Sequence, residues 1–222
     1  MSQVPLNPDE VTRYVQESVL YFLSQHSKNS TIKRLDYAKA ILTDTGRRMQ
    51  NEVIKQTKKV LKLIYGLAVI EIDENVKQYL LVNEIEHNPL VPPNWSESQK
   101  NEQALLLPVL AVIFMNGGSI PEGELWTFLL ELKIISPSSR VHDKFGDIDR
   151  LLKKDLVAQR YLIYEPVRQV VDDDRDKLYE FRWGIRAHSE VSNEKILRHV
   201  SEVLGREITD FAEQYAQVSS QQ

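Results

Sequence analysis

Apolar residues recur at two spacings along this chain, and the spacing changes in a fixed order. From about Pro8 to Gln25, Val11, Val15, Ser18, Val19 and Phe22 fall on one stripe of a helix. Thr31 can cap a second helix running to about Leu42. A third spans about Arg48 to Tyr65 and stops at Gly66, a residue suited to a helix C-cap. The period then drops toward that of a strand. Leu67-Ala-Val-Ile-Glu-Ile-Asp73, a polar turn at Glu74-Asn75 and Gln78-Tyr-Leu-Leu-Val82 predict a hairpin. Three helices and a hairpin are the winged-helix order, a variant of the helix-turn-helix.

The second half repeats that order. Asn101 to Asn116 reads as a helix broken at Gly117-Gly118, and Ser119-Ile-Pro-Glu122 reads as a capping box opening a helix to about Leu132. A further helix is expected from about Asp143 to Lys154, then strands at Arg160–Glu165 and Leu178–Trp183, joined by an acidic wing from Val170 to Lys177. Ile32 is matched by Ile120, 88 positions on, and Leu67 by Leu156, 89 positions on, which suggests duplication. The proline-rich stretch Glu86 to Trp95 reads as a linker. The pattern predicts an α+β, mostly α fold of tandem winged-helix domains: half A over 8–85, linker 86–98, half B over 99–205. A last amphipathic helix is expected from Glu190 to Leu204, followed by a frayed tail over 206–222.

Composition narrows the chemistry. The 222 residues carry a net charge of −4 and no cysteine, so thiolate metal sites, disulfides and cysteine nucleophiles are excluded. The N-terminus lacks an apolar signal core, and the longest apolar run, Ala104 to Met115, is shorter than the roughly 20 residues that cross a bilayer. A soluble intracellular protein is expected. The five histidines show no paired ligand spacing. No phosphate loop or nucleophile elbow stands in its proper context, and an enzyme is not expected.

Charge is uneven, however. Residues 28–62 hold ten basic and three acidic residues. On the third helix Val53, Thr57, Val60, Leu61 and Ile64 share one face, while Arg48, Lys55, Lys58, Lys59 and Lys62 share the other. Solvated faces usually mix signs, which gains small i,i+4 pair energies. A one-signed lysine face in the recognition-helix position is either merely solvated or a phosphate-contact surface. Lys55, Lys58, Lys59 and Lys62 are the candidate contacts to duplex DNA, weak and non-specific. The equivalent segment Asp147 to Asp155 mixes its charges, which favours a helix-in-groove partner instead, with Trp126, Leu129, Leu152 and Phe181 as candidate groove residues or plain core. On the first helix Leu20 and Leu23 point away from the apolar stripe, so they are either covered by the other half or exposed to a partner.

Several stretches carry a specific resemblance. Leu105-Leu-Leu-Pro-Val-Leu-Ala-Val-Ile-Phe-Met-Asn-Gly117, Glu122-x-Glu-Leu-Trp126 and Tyr179-Glu-Phe-Arg-Trp-Gly-Ile-Arg-Ala187 are similar to motifs of the MAGE family, as are Leu63 to Leu67 and Tyr79 to Val82 in the first half. The likeness runs from about Val11 to Gly205. Arg182 stands where leucine is usual, and Ile185 where proline is usual. The resemblance implies tandem winged helices, no catalysis and no cofactor, and docking of a RING-type ubiquitin ligase through the first half. It places docking late in the first helix, where Phe22 and Leu23 stand, and with Leu20 from the helix wheel the candidate docking residues are Leu20, Phe22 and Leu23. The family's compact, ancestral form implies a nuclear role in the Smc five-six chromosome complex, with a kleisin-like subunit and DNA as further partners. The alternative is a free-standing ligase cofactor without DNA binding. A winged-helix transcription factor is disfavoured because base-reading side chains are scarce on the third helix.

Overall fold

A computed structural model describes residues 7–42, 44–73, 77–84, 96–167 and 178–220. The chain divides into two compact units, Met1–His87 and Asn88–Gln222.

In the first unit α1 (Pro8–His26) opens where the Asn7 side chain accepts a hydrogen bond from the Asp9 amide, with Pro8 in the first turn, where an amide proton is not needed. Its buried stripe is Val11, Tyr14, Val15, Ser18, Val19 and Phe22. Ser18 is wholly buried yet satisfied: its hydroxyl donates to the Tyr14 carbonyl and shares a 2.8 Å bond with the Tyr37 hydroxyl. Burial pushes the Tyr37 phenol up to about 12.

Thr31 does not cap the second helix. Ile32–Lys33 form a short strand, β1, and α2 (Arg34–Ile41) starts from Lys33 with no side-chain cap. Next come α3 (Asp44–Tyr65), β2 (Leu67–Asp73) and β3 (Lys77–Asn83). Gly66, at φ +65°, turns the chain out of α3 in a conformation that favours glycine. The strands pair antiparallel in the order β1-β3-β2, with Ile32 opposite Tyr79 and Leu67 opposite Asn83. Tyr79 and Leu81 of β3 join the core that Phe22, Tyr37, Val53 and Leu61 build. Its alternate residues Leu80 and Val82 are buried too, in a second cluster with Ile72. The turn at Glu74-Asn75 and the linker from Glu86 to Trp95 lie outside the described residues.

The second unit repeats the architecture. Its first helix, α4 (Glu97–Met115), begins with a capping box between Ser96 and Gln99. Ser119–Pro121 form β4, not a capping box; α5 (Glu122–Glu131) then starts from Pro121 with no side-chain cap. A small hairpin, β5 (Val141–His142) and β6 (Gly146–Asp147), takes the place of the expected helix start at Asp143. The helical stretch falls later: α6 (Ile148–Arg150), a π-helical turn (Leu151–Asp155) and α7 (Leu156–Ala158). β7 (Leu162–Pro166) and β8 (Tyr179–Trp183) complete a sheet of order β4-β8-β7, the same order as in the first unit. Two winged-helix units of matching sheet order are thus built from one chain, as the hydrophobic pattern predicts. The acidic wing tip lies outside the described residues.

The registers refine the duplication. Ile32 faces Tyr79 and Ile120 faces Phe181, each on the central strand, so this match is structural. The pairing of Leu67 with Leu156 is not, because Leu67 lies in a strand and Leu156 in α7.

After β8 come α8 (Ile185–Glu190), α9 (Asn193–Leu204), a 3-10 turn (Ile208–Asp210) and α10 (Ala212–Ser219). The expected frayed tail is therefore helical through Ser219. Val218 is buried in the second core, and the Gln214 side-chain amide donates to the Met115 carbonyl at 2.9 Å. No helix among the described residues is long and apolar enough to cross a membrane.

Candidate partner-binding surfaces

The outer side of α1 separates the three residues assigned to ligase docking. Leu20 is 68% exposed. Leu23, one turn on, is half-buried and packs against the core. Phe22 is wholly buried, with ring centroids 5.4 Å from Tyr37 and 5.6 Å from Tyr79. It belongs to the core and cannot touch a partner; its place on the apolar stripe beside Val15 and Val19 carries that signal. The surface that α1 offers is Leu20 with the outer part of Leu23.

The basic face of α3 forms as its spacing predicts, but its lysines are not equivalent. Lys55, Lys59 and Lys62 are exposed, and Lys58 is half-buried. Lys58 pairs with Glu71 of β2 at 2.5 Å, and Lys62 pairs with Glu84 at 2.9 Å. Exposed pairs of this kind stabilise by about 0–1 kcal/mol, so an incoming phosphate competes with them readily. The opposite face holds Val53, Thr57 and Leu61 fully buried. Ile64, assigned to that face by periodicity, is instead 70% exposed, because the helix runs past its core before Gly66 ends it.

The four residues proposed to line a groove in the second unit are buried rather than open to solvent. Leu129, Leu152 and Phe181 are fully buried and Trp126 nearly so, all in one core cluster. Over this core lies a polar network that sequence reasoning missed. Glu122, at the first position of α5, accepts hydrogen bonds from the Trp126 indole at 2.9 Å and the Tyr164 hydroxyl at 2.5 Å, and pairs with Lys153 at 2.6 Å. Lys153 also pairs with Asp149, and Asp149 with Arg140, whose guanidinium lies 4.1 Å from the Trp126 ring centre. Burial works against the Glu122 carboxylate, but the bonds from Lys153, Tyr164 and Trp126 outweigh it and hold its pKa at about 2. Burial, reinforced by the Glu122 bond and charge, pushes Tyr164 up to about 12. For Lys153 burial favours the neutral form, yet Glu122 and Asp149 raise its pKa overall. Glu122 and Trp126 one helical turn apart were the legible part of this signal. The remainder comes from a helix and a strand that no local pattern joins.

A second buried charge sits beneath the end of the sheet. Arg186 is almost fully buried; its Nε donates to the Gln159 carbonyl at 2.8 Å, and its guanidinium reaches Glu190 at 3.4 Å. Glu190 in turn accepts from the Tyr161 hydroxyl at 2.6 Å, and burial pushes that phenol upward. Both networks tie together elements that are distant in sequence. Among the described residues no group of three or more histidines and carboxylates is placed to hold a metal ion.

The MAGE homology domain family model matches residues 19–194. The chain is 30% identical over 218 residues to the human Non-structural maintenance of chromosomes element 3 homolog, covering 96% of this chain and 68% of the human protein. The mouse homolog is likewise 30% identical over 218 residues, covering 96% of this chain and 74% of the mouse protein. Mouse Melanoma-associated antigen B4 is 33% identical over 206 residues, which cover 91% of this chain but only 35% of that protein. Among solved structures, a chain of the Nse1-Nse3-Nse4 complex superposes with a TM-score of 0.82 at 29% identity, covering 96% of this chain and 100% of that one. Family match, identity over nearly the whole chain and the repeated β-sheet order converge, and the chain belongs to the MAGE homology domain family.

Proposed function

We propose that this chain is a nuclear, non-catalytic adaptor of an Smc five-six-type chromosome complex, joining a RING-type ubiquitin ligase to a kleisin-like subunit and touching duplex DNA without sequence preference. The observation that carries it is the likeness over 96% of the chain to a subunit of the three-component Nse1-Nse3-Nse4 complex. The described side chains support an adaptor. The Glu122 and Arg186 networks of the second unit are internally paired, while Leu20 stands exposed on α1 beside half-buried Leu23. Ligase docking is assigned to those two leucines, and Phe22 supports them from within.

Kleisin binding is assigned to the second unit as a whole rather than to Trp126, Leu129, Leu152 and Phe181, which are core. DNA contact is assigned to the α3 lysines, with Lys55 and Lys59 foremost because neither is in an ion pair among the described residues. Affinity purification from native cells tests the reading. Recovery of Smc-type ATPases with a RING protein and a kleisin is expected. Recovery of a RING protein alone would establish the free-standing ligase cofactor instead.

A further inference from the structure

The last turn of α3 leaves three consecutive apolar side chains in water. Leu63 is 71% exposed, Ile64 70% and Tyr65 43%. Successive helical residues lie about 100° apart, so the three point in three directions and the turn is apolar nearly all round. A run of this kind on a surface is a liability unless something covers it. Leu20 and Leu35, also exposed, have no exposed large apolar neighbour in sequence, and Val203 with Leu204 make only a pair.

We propose that this turn is a docking knob for an acidic amphipathic helix of a protein partner, a contact separate from the ligase surface on α1. Charge identifies the occupant. Lys55, Lys59 and Leu63 are spaced four apart and form one stripe along the outer face, and both lysines are exposed with no ion pair among the described residues. Lys62 beside them is taken by Glu84. A helix that carries leucines toward the knob and carboxylates toward the two lysines satisfies both features together. Duplex DNA, the partner proposed for the same lysines, would neutralise them but leave Leu63, Ile64 and Tyr65 facing phosphate and water, so helix and duplex compete for Lys55 and Lys59 and only the helix covers the knob. A second copy presenting the same surface would set lysine against lysine.

The test uses the full 222-residue chain with labelled leucine and isoleucine methyl groups, observed by NMR. The probes are a helical Leu/Glu peptide, the same peptide with lysine replacing glutamate, and a short DNA duplex. The Leu/Glu peptide is expected to shift the Leu63 and Ile64 methyls and leave those of Leu20 in place. Leu63→Ser with Ile64→Ser should weaken that peptide at least tenfold and leave duplex affinity unchanged. Lys55→Glu with Lys59→Glu should reverse the preference toward the lysine peptide, an outcome that loss of folding cannot imitate. The proposal is overturned if the serine variant keeps its affinity for the Leu/Glu peptide, or if both peptides bind wild type equally. It is also overturned if the methyl shifts follow protein concentration alone, which indicates a second copy, or if the serine variant loses duplex binding instead. Because Leu20→Ala leaves α3 intact, failure of ligase docking and failure of the knob give separate readouts.

Discussion

A Cβ added at Gly184 would stand 2.3 Å from the Arg160 carbonyl oxygen, closer than any relaxed contact permits. That carbonyl is held in place, since it accepts the Arg186 amide at 3.0 Å, and Arg160 itself sits at φ +67°. Gly184→Ala should therefore force the backbone apart and cost at least the roughly 1–3 kcal/mol typical of overpacking, read as a lower urea midpoint. The neighbouring position behaves oppositely. Ile185 is the first residue of α8, where a missing amide proton costs nothing and a fixed φ fits the helix. Ile185→Pro, which restores the usual family residue, should be neutral or stabilise by about 0.4–1 kcal/mol. Helix α1 gives a paired contrast. Phe22→Ala should cost about 3–5 kcal/mol, whereas Leu20→Ala should stay within about 0.5 kcal/mol yet abolish recovery of the RING partner. A large loss of stability on changing Leu20 would remove it from the docking surface.

At the scale of elements, Glu122 ties α5, the helical segment after β6 and strand β7 together, and its depressed pKa sets a pH signature. The folded value, about 2, lies below the ordinary carboxylate value of 4.5, so the carboxylate stabilises the fold fully above the unfolded pKa. That contribution is lost as pH falls from about 4.5 toward 2. The gap in melting temperature between wild type and Glu122→Gln should be constant near neutrality and narrow over this acid range; a gap independent of pH would show that the charge is not what the network uses. The end of the chain makes a second element-scale prediction. A chain cut after Gly205 loses buried Val218 and the Gln214 bond to Met115, so the second unit should melt several degrees lower than one ending at Ser220. These cases also show what was legible in sequence. Amphipathic helices and hairpin strands carry their period locally, and the paired strands of both units and most helices were placed from it. Strands of two or three residues, such as Ile32–Lys33 and Ser119–Pro121, are too short to display alternation and read as helix starts. Periodicity also gives direction without depth: it set Ile64 on the core face but could not show where the core ends, and it could not separate a groove from the interior at Leu129, Leu152 and Phe181.

For the whole molecule, the net charge of −4 combines +7 in residues 28–62 with −11 in the rest, so an approaching polyanion meets a strongly polarised chain. The basic segment should turn toward DNA, and binding should weaken steeply with salt, because each phosphate that a lysine neutralises releases condensed counterions. The slope depends on how many lysines of α3 take part. Lys55 and Lys59 alone predict a log–log slope near −2, at roughly −0.9 per neutralised phosphate. If phosphate also displaces Glu71 from Lys58 and Glu84 from Lys62, the slope approaches about −3.6. Both acidic partners are about half exposed, so Glu71→Gln with Glu84→Gln should free the two lysines without disturbing the core. That variant is expected to bind duplex more tightly than wild type and to reach the steeper slope at every sequence tested. Lys55→Glu with Lys59→Glu should remove the binding. Titrating labelled duplex across a salt series measures both. A wild-type chain with no salt-dependent binding at low ionic strength would reduce the basic face to a solvated surface and leave the adaptor role to its protein contacts alone.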